Sequence, residues 1–180
     1  MVSGTWQIDP THTNIGFTVR HMVIAKVHGR FTGFEGSVTF DGERAVAAQV
    51  RIDAKSIDTQ VEARDNHLRS ADFFDVEQYP AITFESRRME SAGGNRYRVV
   101  GDLTLHGVTR EVTIDTELLG RMVDPFGAER VAFSGTARLD RGDFGLTWNK
   151  AVEAGGVLVG DRIDVQLEVQ VVKPAAIQAA

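Results

Sequence analysis

Ionisable side chains suited to acid–base chemistry are concentrated in one short stretch, EARDNHLRSADFF at residues 62 to 74. A histidine that an aspartate orients can act as a general base, and an arginine can hold an anionic group. The stretch therefore raises three hypotheses, which are a catalytic cluster, a site for the head group of a ligand, and a part of the scaffold.

The residues before this stretch predict that it is helical. Thr59 and Glu62 form the T-x-x-E pattern of a capping box, which places a short helix at about residues 60–70. At about 100° per residue, Arg64 and Asp65 flank Leu68 on the buried side, whereas His67 and Arg69 lie toward water. The polar groups do not converge on one point, so we expect no catalytic residue here.

Two roles stay open for Arg64 and Asp65. Buried charges need partners, so both side chains either bind each other or strand carbonyls at the rim of the fold, or they act directly on the head group of a ligand. Because ion pairs are more often structural than functional, the first role is favoured.

The histidines do not predict a metal site. They stand at positions 12, 21, 28, 67 and 106, with no i,i+4 helical pair and no zincin-like acidic neighbour. His21 shares a strand face with Phe17 and Val19, so its ring either bonds to backbone in the core or is available to a polar group of a ligand. We expect neither a metal nor another cofactor.

Composition excludes several further classes of function. The chain has no cysteine, which removes disulfides and thiolate chemistry, and it has no G-x-S-x-G nucleophile motif. Its net charge of -5, from 20 basic and 25 acidic residues, gives no electrostatic reason to bind nucleic acid. Whether the chain forms a homodimer stays open.

The distribution of apolar residues bears on localisation. The first residues, MVSGTWQIDPTH, lack a basic segment followed by an apolar run, so the expectation is a cytoplasmic protein without a secretory signal. The chain also lacks a run of about 18 apolar residues, the length that predicts a membrane-spanning helix.

The dominant hydrophobic period is two, which is typical of strands with one buried face. It repeats in eight or nine segments, of which NIGFTVRH and RIDVQLEVQVV are clear examples, and only residues 22 to 31 give an ambiguous signal. Amphipathic strands joined by short turns predict an all-β fold, an antiparallel barrel of roughly eight strands with the one short helix between strands. We expect one domain over residues 1–173 and a frayed tail over residues 174–180.

The residues predicted to point inward mix large rings with small side chains. Gly101, Gly135 and Ala137 fall in the middle of strands, and the large inward residues include Phe17 and Phe133. A barrel of this size is either filled by side chains or holds one small ligand. Residue types alone leave these two alternatives balanced.

Several motifs together resemble one known family. In chain order they are W-x-I-D-P-x-H-T, V-H-G-R-F-T-G-F-E-G, S-I-D-T, R-D-N-H-L-R-S-A-D-F-F-D, Y-P-A-I-T-F, G-D-L-T-L-H-G-V-T-R and R-G-D-F-G-L. The chain is similar, from Trp6 to about Val171, to the YceI-like family of polyisoprenoid-binding proteins. The resemblance implies a lipocalin-like barrel whose apolar lumen holds a long isoprenoid or related amphiphilic lipid.

A ligand of this kind would need a tunnel of roughly 300 to 1,000 Å³. The residues expected to bind it are Phe17, Val19, Phe40, Phe84, Leu103, Phe133 and Trp148 along the chain, with His21, Arg64 and Asn149 at its polar head. The glycine-containing loop after Asn149 is a candidate gate.

The leading hypothesis is a carrier or store for an isoprenoid-type lipid that performs no catalysis. Two alternatives stay open. One is an enzyme that acts on such a lipid inside the barrel, and the other is a stress-related structural or interaction protein with a filled core.

Overall fold

The computed structural model describes residues 3–175, so residues 176–180 of the predicted frayed tail lie outside it. Its strands and single α-helix are β1 (Gly4–Ile8), β2 (Asn14–His21), β3 (Ala25–Phe31), β4 (Phe34–Asp41), β5 (Arg44–Asp53), β6 (Ile57–Asp58), α1 (Glu62–Arg69), β7 (Ala81–Ser91), β8 (Arg96–Leu105), β9 (Val108–Val123), β10 (Glu129–Asp140) and β11 (Val159–Val172). The ambiguous residues 22 to 31 form a hairpin turn and the whole of β3.

Eight of these strands form a closed antiparallel barrel. Hydrogen-bonded neighbours follow the order β1, β4, β5, β7, β8, β9, β10 and β11, and β11 pairs back to β1 through Ile8 and Val171. The predicted all-β lipocalin-like barrel of about eight strands with one short helix is therefore confirmed. The edge of β11 that pairs with β1 at one end pairs with β2 along the rest of its length. Strands β3 and β6 continue the sheet beyond β2.

One end of the barrel is filled by an aromatic plug, which consists of Trp6, Phe40 and Phe133. The rings of Trp6 and Phe40 meet edge to face with centroids 5.3 Å apart, and Phe40 stacks on Phe133 at 6.4 Å. Val131 and Val171 are buried in the same cluster. Because these rings interlock with each other, Phe40 and Phe133 belong to a solid part of the core.

The helix starts two residues later than the sequence predicts, because the expected capping box does not form. The N-cap residue is Val61, which offers no side-chain bond. The buried carboxylate of Asp65 instead accepts hydrogen bonds from the Thr59 N–H at 2.9 Å and from the Thr59 hydroxyl at 2.5 Å. Gln60 makes this return possible by adopting a left-handed φ of 65°.

Arg64 belongs to the same hydrogen-bonded cluster of Thr59, Arg64 and Asp65, which we call the knot. Its Nε donates to the Thr59 hydroxyl at 2.7 Å, and its Nη2 donates to the Thr59 carbonyl at 2.8 Å. Both charged side chains therefore bind Thr59 rather than each other, and the structural role that the sequence favoured for them fits these contacts. The knot fixes the start of α1 against the end of β6.

We expect Asp65→Ala to lower the free energy of unfolding by about 1–3 kcal/mol, because two buried donors of Thr59 would lose their acceptor. Urea denaturation would measure the change. Glu62→Ala is the matched control, since Glu62 is exposed on the same helix and should change stability by less than about 0.5 kcal/mol. Equal losses in both variants would contradict the assigned role of the knot.

A charged network holds the plug end together. Arg130 donates from Nη1 to Asp9 at 2.6 Å and from Nε to Asp124 at 2.7 Å. Burial raises the pKa of Asp9, but hydrogen bonds from His12, Arg130 and the Thr11 N–H outweigh burial and lower the pKa from 3.8 to about 2.

This low pKa predicts an acid-dependent loss of stability. A carboxylate with a lower pKa in the folded than in the unfolded chain stabilises the fold above its unfolded pKa, and that contribution is lost as the pH falls. For Asp9 the loss falls between about pH 4 and pH 2. In this window Asp9→Asn should lose less stability than the wild type when both are unfolded with urea. Parallel pH profiles would contradict the prediction.

Candidate ligand-binding site

A partly open cavity of about 230 Å³ lies in the part of the barrel that the plug does not fill. The wall that faces it is apolar throughout. The side chains that form most of this wall are Ile15, Phe17, Val19, Phe31, Val50, Ile52, Leu68, Phe73, Phe74, Ile82, Phe84, Leu103, Leu105, Val112, Ile114, Ala137, Leu139, Phe144, Leu146, Ile163, Val165 and Leu167. The cavity is smaller than the roughly 300 to 1,000 Å³ expected from the sequence.

The wall follows from the period-two pattern of the strands. Alternate residues of β11, such as Ile163 and Val165, face inward, while their neighbours face water. Two glycines make room for rings on adjacent strands, because a Cβ at Gly29 would clash with the Phe17 ring and one at Gly101 would clash with the Phe84 ring. Some small residues therefore accommodate phenylalanines, whereas Ala137 leaves open space.

The structure separates the predicted chain-binding residues into two groups. Phe17, Val19, Phe84 and Leu103 line the cavity. Phe40 and Phe133 lie in the plug instead. Strand alternation correctly turns all of these side chains inward, but it does not tell at which height along the barrel a side chain lies.

Trp148 covers the cavity from outside rather than lining it. Its ring lies 4.6 Å from the ring of His67 and 5.2 Å from that of Phe73, measured between centroids. Phe73 is itself part of the cavity wall. These three rings form an aromatic latch that joins the segment around α1 to the loop after β10, and His67 also bonds Asp72 at 2.8 Å.

The three predicted head-group residues lie outside the cavity wall, and two of them already have backbone partners. Asn149 donates to the Val159 carbonyl at 2.8 Å and accepts from the Val159 N–H at 3.1 Å. Arg64 is bound to Thr59 in the knot. His21 ends β2 at the rim, where it stands opposite Val159 and Ala25.

The loop that the sequence suggested as a gate is a small hairpin. Leu158 donates to the Lys150 carbonyl at 2.9 Å, and Val152 donates to the Gly156 carbonyl at 3.1 Å. Gly155 and Gly156 have φ values of 93° and 91°, which L side chains rarely adopt. The loop thus has its own hydrogen bonds, and gating stays a prediction.

Arg141 is a functional residue that the sequence reasoning missed. Its side chain is 5% exposed and its guanidinium donates to the carbonyls of Leu146 at 2.7 Å, Trp148 at 2.9 Å, Gly160 at 2.9 Å and Val159 at 3.3 Å. One arginine therefore fastens both ends of the loop that carries Trp148. The strand alternation of β10, continued past Leu139, contained the signal, because it turns residue 141 inward.

The barrel wall has a gap between β9 and β10. Their pairing runs from Val123 opposite Glu129 only to Asp115 opposite Thr136. Within the described residues, the remaining part of β9 pairs with β8 alone, and the turn Arg141–Phe144 fills the space beside it. Two hydrogen bonds hold this turn, from Arg110 to the Asp143 carbonyl at 3.2 Å and from His106 to the Phe144 carbonyl at 3.1 Å.

At this gap the cavity comes close to the surface. A polar groove of about 780 Å³ runs along the outside of the barrel. Five residues line both the groove and the cavity, namely Val112, Ala137, Leu139, Phe144 and Val165. Only these apolar side chains separate the interior from the groove at this point.

Comparison with known proteins agrees with this geometry. The model of the YceI-like domain matches residues 6–171. The chain belongs to the YceI-like family. A UPF0312 protein of Vibrio cholerae serotype O1 is 39% identical over 75% of this chain and 72% of its own length. A UPF0312 protein of Pseudomonas paraeruginosa is 43% identical over 75% of this chain and 71% of its own length.

Solved structures share the architecture of this YceI-like protein. BcnA of Burkholderia cenocepacia is 25% identical, with a TM-score of 0.79, over 91% of this chain and 98% of its own. A polyisoprenoid binding domain from Saccharophagus degradans is 17% identical, with a TM-score of 0.69, over 94% and 98% of the two chains, and at this identity it shows the fold alone. In the part of the chain that the structure covers, α1 is far too short and polar to span a bilayer.

We expect Arg141→Met to lower the free energy of unfolding by about 1–3 kcal/mol, because four carbonyls at the cavity end lose their donor. It should also loosen the aromatic latch, which the fluorescence of Trp148 would report in a Trp6→Phe background. Arg138→Met is the matched control, because Arg138 is exposed and lies three residues earlier, in β10. An unchanged emission spectrum in Arg141→Met would contradict the fastening role.

Proposed function

We propose that this protein binds the apolar chain of an isoprenoid-type lipid in its cavity, as a carrier or store, and performs no chemistry on it. The observation that supports this most strongly is a cavity of about 230 Å³ whose wall is apolar throughout. Water finds few hydrogen-bond partners in such a space, whereas an apolar chain needs none there. The fold shared with a protein described as a polyisoprenoid binding domain adds support.

The volume sets how much of a chain the cavity accommodates. An apolar cavity of about 150 Å³ admits benzene, so 230 Å³ corresponds to about nine carbon atoms, or roughly two isoprene units. At about 0.8 kcal/mol per methylene equivalent, this burial supplies roughly 7 kcal/mol before the costs of ordering the ligand. Phe17, Val19, Phe84 and Leu103 would contact this part of the chain.

The remainder of a longer ligand, with its polar head, fits best at the gap between β9 and β10. There the apolar wall meets a groove that carries Arg110, Arg138 and Asp143. The donors of Arg64 and the amide of Asn149 are already held by backbone groups, which makes them poorer candidates for the head. His21 stays a candidate only for a head at the rim.

The charges of the wall favour binding over catalysis. Among the wall residues in the described part of the chain, Arg141 is the ionisable one, and its donors serve four carbonyls. General acid–base catalysis needs a titratable group within reach of a reacting atom of the substrate. An enzyme acting on a buried lipid would therefore have to use groups of the groove rather than of the cavity.

Titration calorimetry with prenol, geraniol, farnesol and geranylgeraniol tests the proposal. We expect affinity to rise at least about tenfold from prenol to geraniol, because the second isoprene unit still enters the cavity, and much less with each further unit. Binding should show a negative heat-capacity change. Absence of binding by all four alcohols would refute the proposal.

A pair of variants tests the location. Ala137→Phe fills the cavity and should weaken geraniol binding at least about tenfold. Ala47→Phe makes the same change on the exposed face of β5 and should leave the affinity unchanged. Solvent extraction of freshly purified protein, followed by mass spectrometry, would identify the lipid that the protein carries.

A further inference from the structure

The turn between β2 and β3 breaks local rules of backbone structure. Met22 and Val23 adopt left-handed φ values of 52° and 67°. Such a φ is a clear outlier for a β-branched residue, and turns of this kind normally use glycine or asparagine. The Ile24 N–H bonds the Met22 carbonyl at 2.8 Å, two residues back, as in the rare and strained γ-turn.

The same turn exposes apolar side chains to solvent. Ile24 is 87% exposed, Val23 is 56% exposed and Met22 is 47% exposed. The neighbouring hairpin adds Val157, which is 43% exposed, and it adjoins the turn through a bond of 2.9 Å from the Met22 N–H to the Leu158 carbonyl. We call Met22, Val23, Ile24 and Val157 the apolar tip.

Basic residues surround the apolar tip. Arg20 and Lys26 face each other directly across β2 and β3, although like charges in such a pair destabilise a sheet. In residues 3–175 neither forms an ion pair with a carboxylate. Lys150 lies beside Leu158 through a backbone bond of 2.9 Å, and Glu153 is the acidic residue of the same hairpin. With Arg20, Lys26 and Lys150 against Glu153 and Asp161, the surroundings of the tip carry a small excess of positive charge, although the whole chain has a net charge of -5.

The apolar tip lies at the open end of the cavity. Val19 in β2 is part of the cavity wall, and the turn begins three residues later, directly after β2 ends at His21. At about 3.3 Å per residue, the tip is on the order of 10 Å from the cavity wall. Val159, next to the hairpin, also lines the cavity and stands opposite His21.

We infer that the apolar tip inserts into the surface of an anionic lipid bilayer and docks the cavity end of the barrel on it. Exposed apolar side chains enter the boundary between head groups and acyl chains, while the surrounding cations face the lipid phosphates. Charge complementarity selects a membrane over a symmetric contact with a second copy of this chain, because such a contact would bring the basic residues of two tips together. This inference goes beyond the proposed function, because it names the surface from which a lipid is collected.

Sedimentation with vesicles tests the docking. The wild type should bind vesicles of phosphatidylcholine with phosphatidylglycerol at least about tenfold more strongly than vesicles of phosphatidylcholine alone, and added salt should reduce the difference. The combined variant Met22→Asn, Val23→Gly, Ile24→Ser should lose this binding. It should unfold at the same or a higher denaturant concentration, because Asn and Gly suit the left-handed turn.

A control at the opposite end separates docking from general stickiness. Phe126 is 94% exposed in the loop between β9 and β10, where the nearby Arg130 is paired with Asp124 and Asp9. Phe126→Ser should leave vesicle binding unchanged. Equal losses in this variant and in the triple variant would overturn the inference, as would wild-type binding that ignores lipid charge.

Two further measurements distinguish the possible failures. The triple variant should retain the geraniol affinity of the wild type, so a failed lipid titration and a failed vesicle assay report separately on the proposed function and on docking. Analytical ultracentrifugation addresses self-association. A wild-type dimer that the triple variant abolishes, together with absent vesicle binding, would show that the tip contacts a second copy instead and would overturn the inference.

Discussion

The shape of this barrel depends on β11, because β1 and β2 share one of its edges. On one side β11 pairs with β10 along most of its length, from Arg162 to Val172. On the other side it pairs with β2 from Val159 to Glu168 and with β1 at Val171 and Val172. Because β1 closes the ring only at one end, that end is narrow enough to be filled by three aromatic rings. At the other end β2, β3, β6 and the segment around α1 form a wider enclosure that leaves a cavity.

The gap between β9 and β10 is a second irregularity of the barrel. A turn that lies in such a gap has carbonyls without ladder partners, and these need other donors. Here the side chains of Arg110 and His106 donate to the carbonyls of Asp143 and Phe144 in the turn Arg141–Phe144. The gap is thus covered by a short turn rather than by a continuous sheet, which makes it the place where interior and groove are separated by side chains alone.

Much of this architecture could be predicted from the sequence, since period-two alternation reports directly which face of a strand is buried. It identified the strands and the inward direction of Phe17 and Phe84. It could not place Phe40 and Phe133, because height along a barrel depends on register and closure, which are properties of strand pairs rather than of one strand. The resemblance to the YceI-like family suggested a lipid site but did not distinguish the plug from the cavity.

One local prediction, the helix cap, was wrong, and one buried residue, Arg141, was missed. The T-x-x-E pattern predicted that the Thr59 hydroxyl would accept from a helix N–H and that Glu62 would accept from the Thr59 N–H. Instead the hydroxyl and the N–H of Thr59 both donate to the buried carboxylate of Asp65, a charged acceptor that binds both donors at once. The burial of Arg141 was missed, since buried arginines are rare. Its burial is tolerated because carbonyls surround its guanidinium, and no pattern in the sequence shows where those carbonyls lie.

The two exposed apolar ends of the barrel differ in how well their sequences fit their backbones. In the loop with Phe126, Gly127 takes the left-handed φ of 86°, and the Asp124 carboxylate accepts from the N–H groups of Phe126 at 2.9 Å and Ala128 at 3.0 Å. This is ordinary turn chemistry. The turn with Met22 and Val23 has neither a glycine nor a capping carboxylate, and it adds a pair of like charges across its strands. Natural sequences break local rules mainly where function requires it. The strain at only one of two exposed ends therefore favours a specific role for that end, which is the end that carries the cavity rather than the plug.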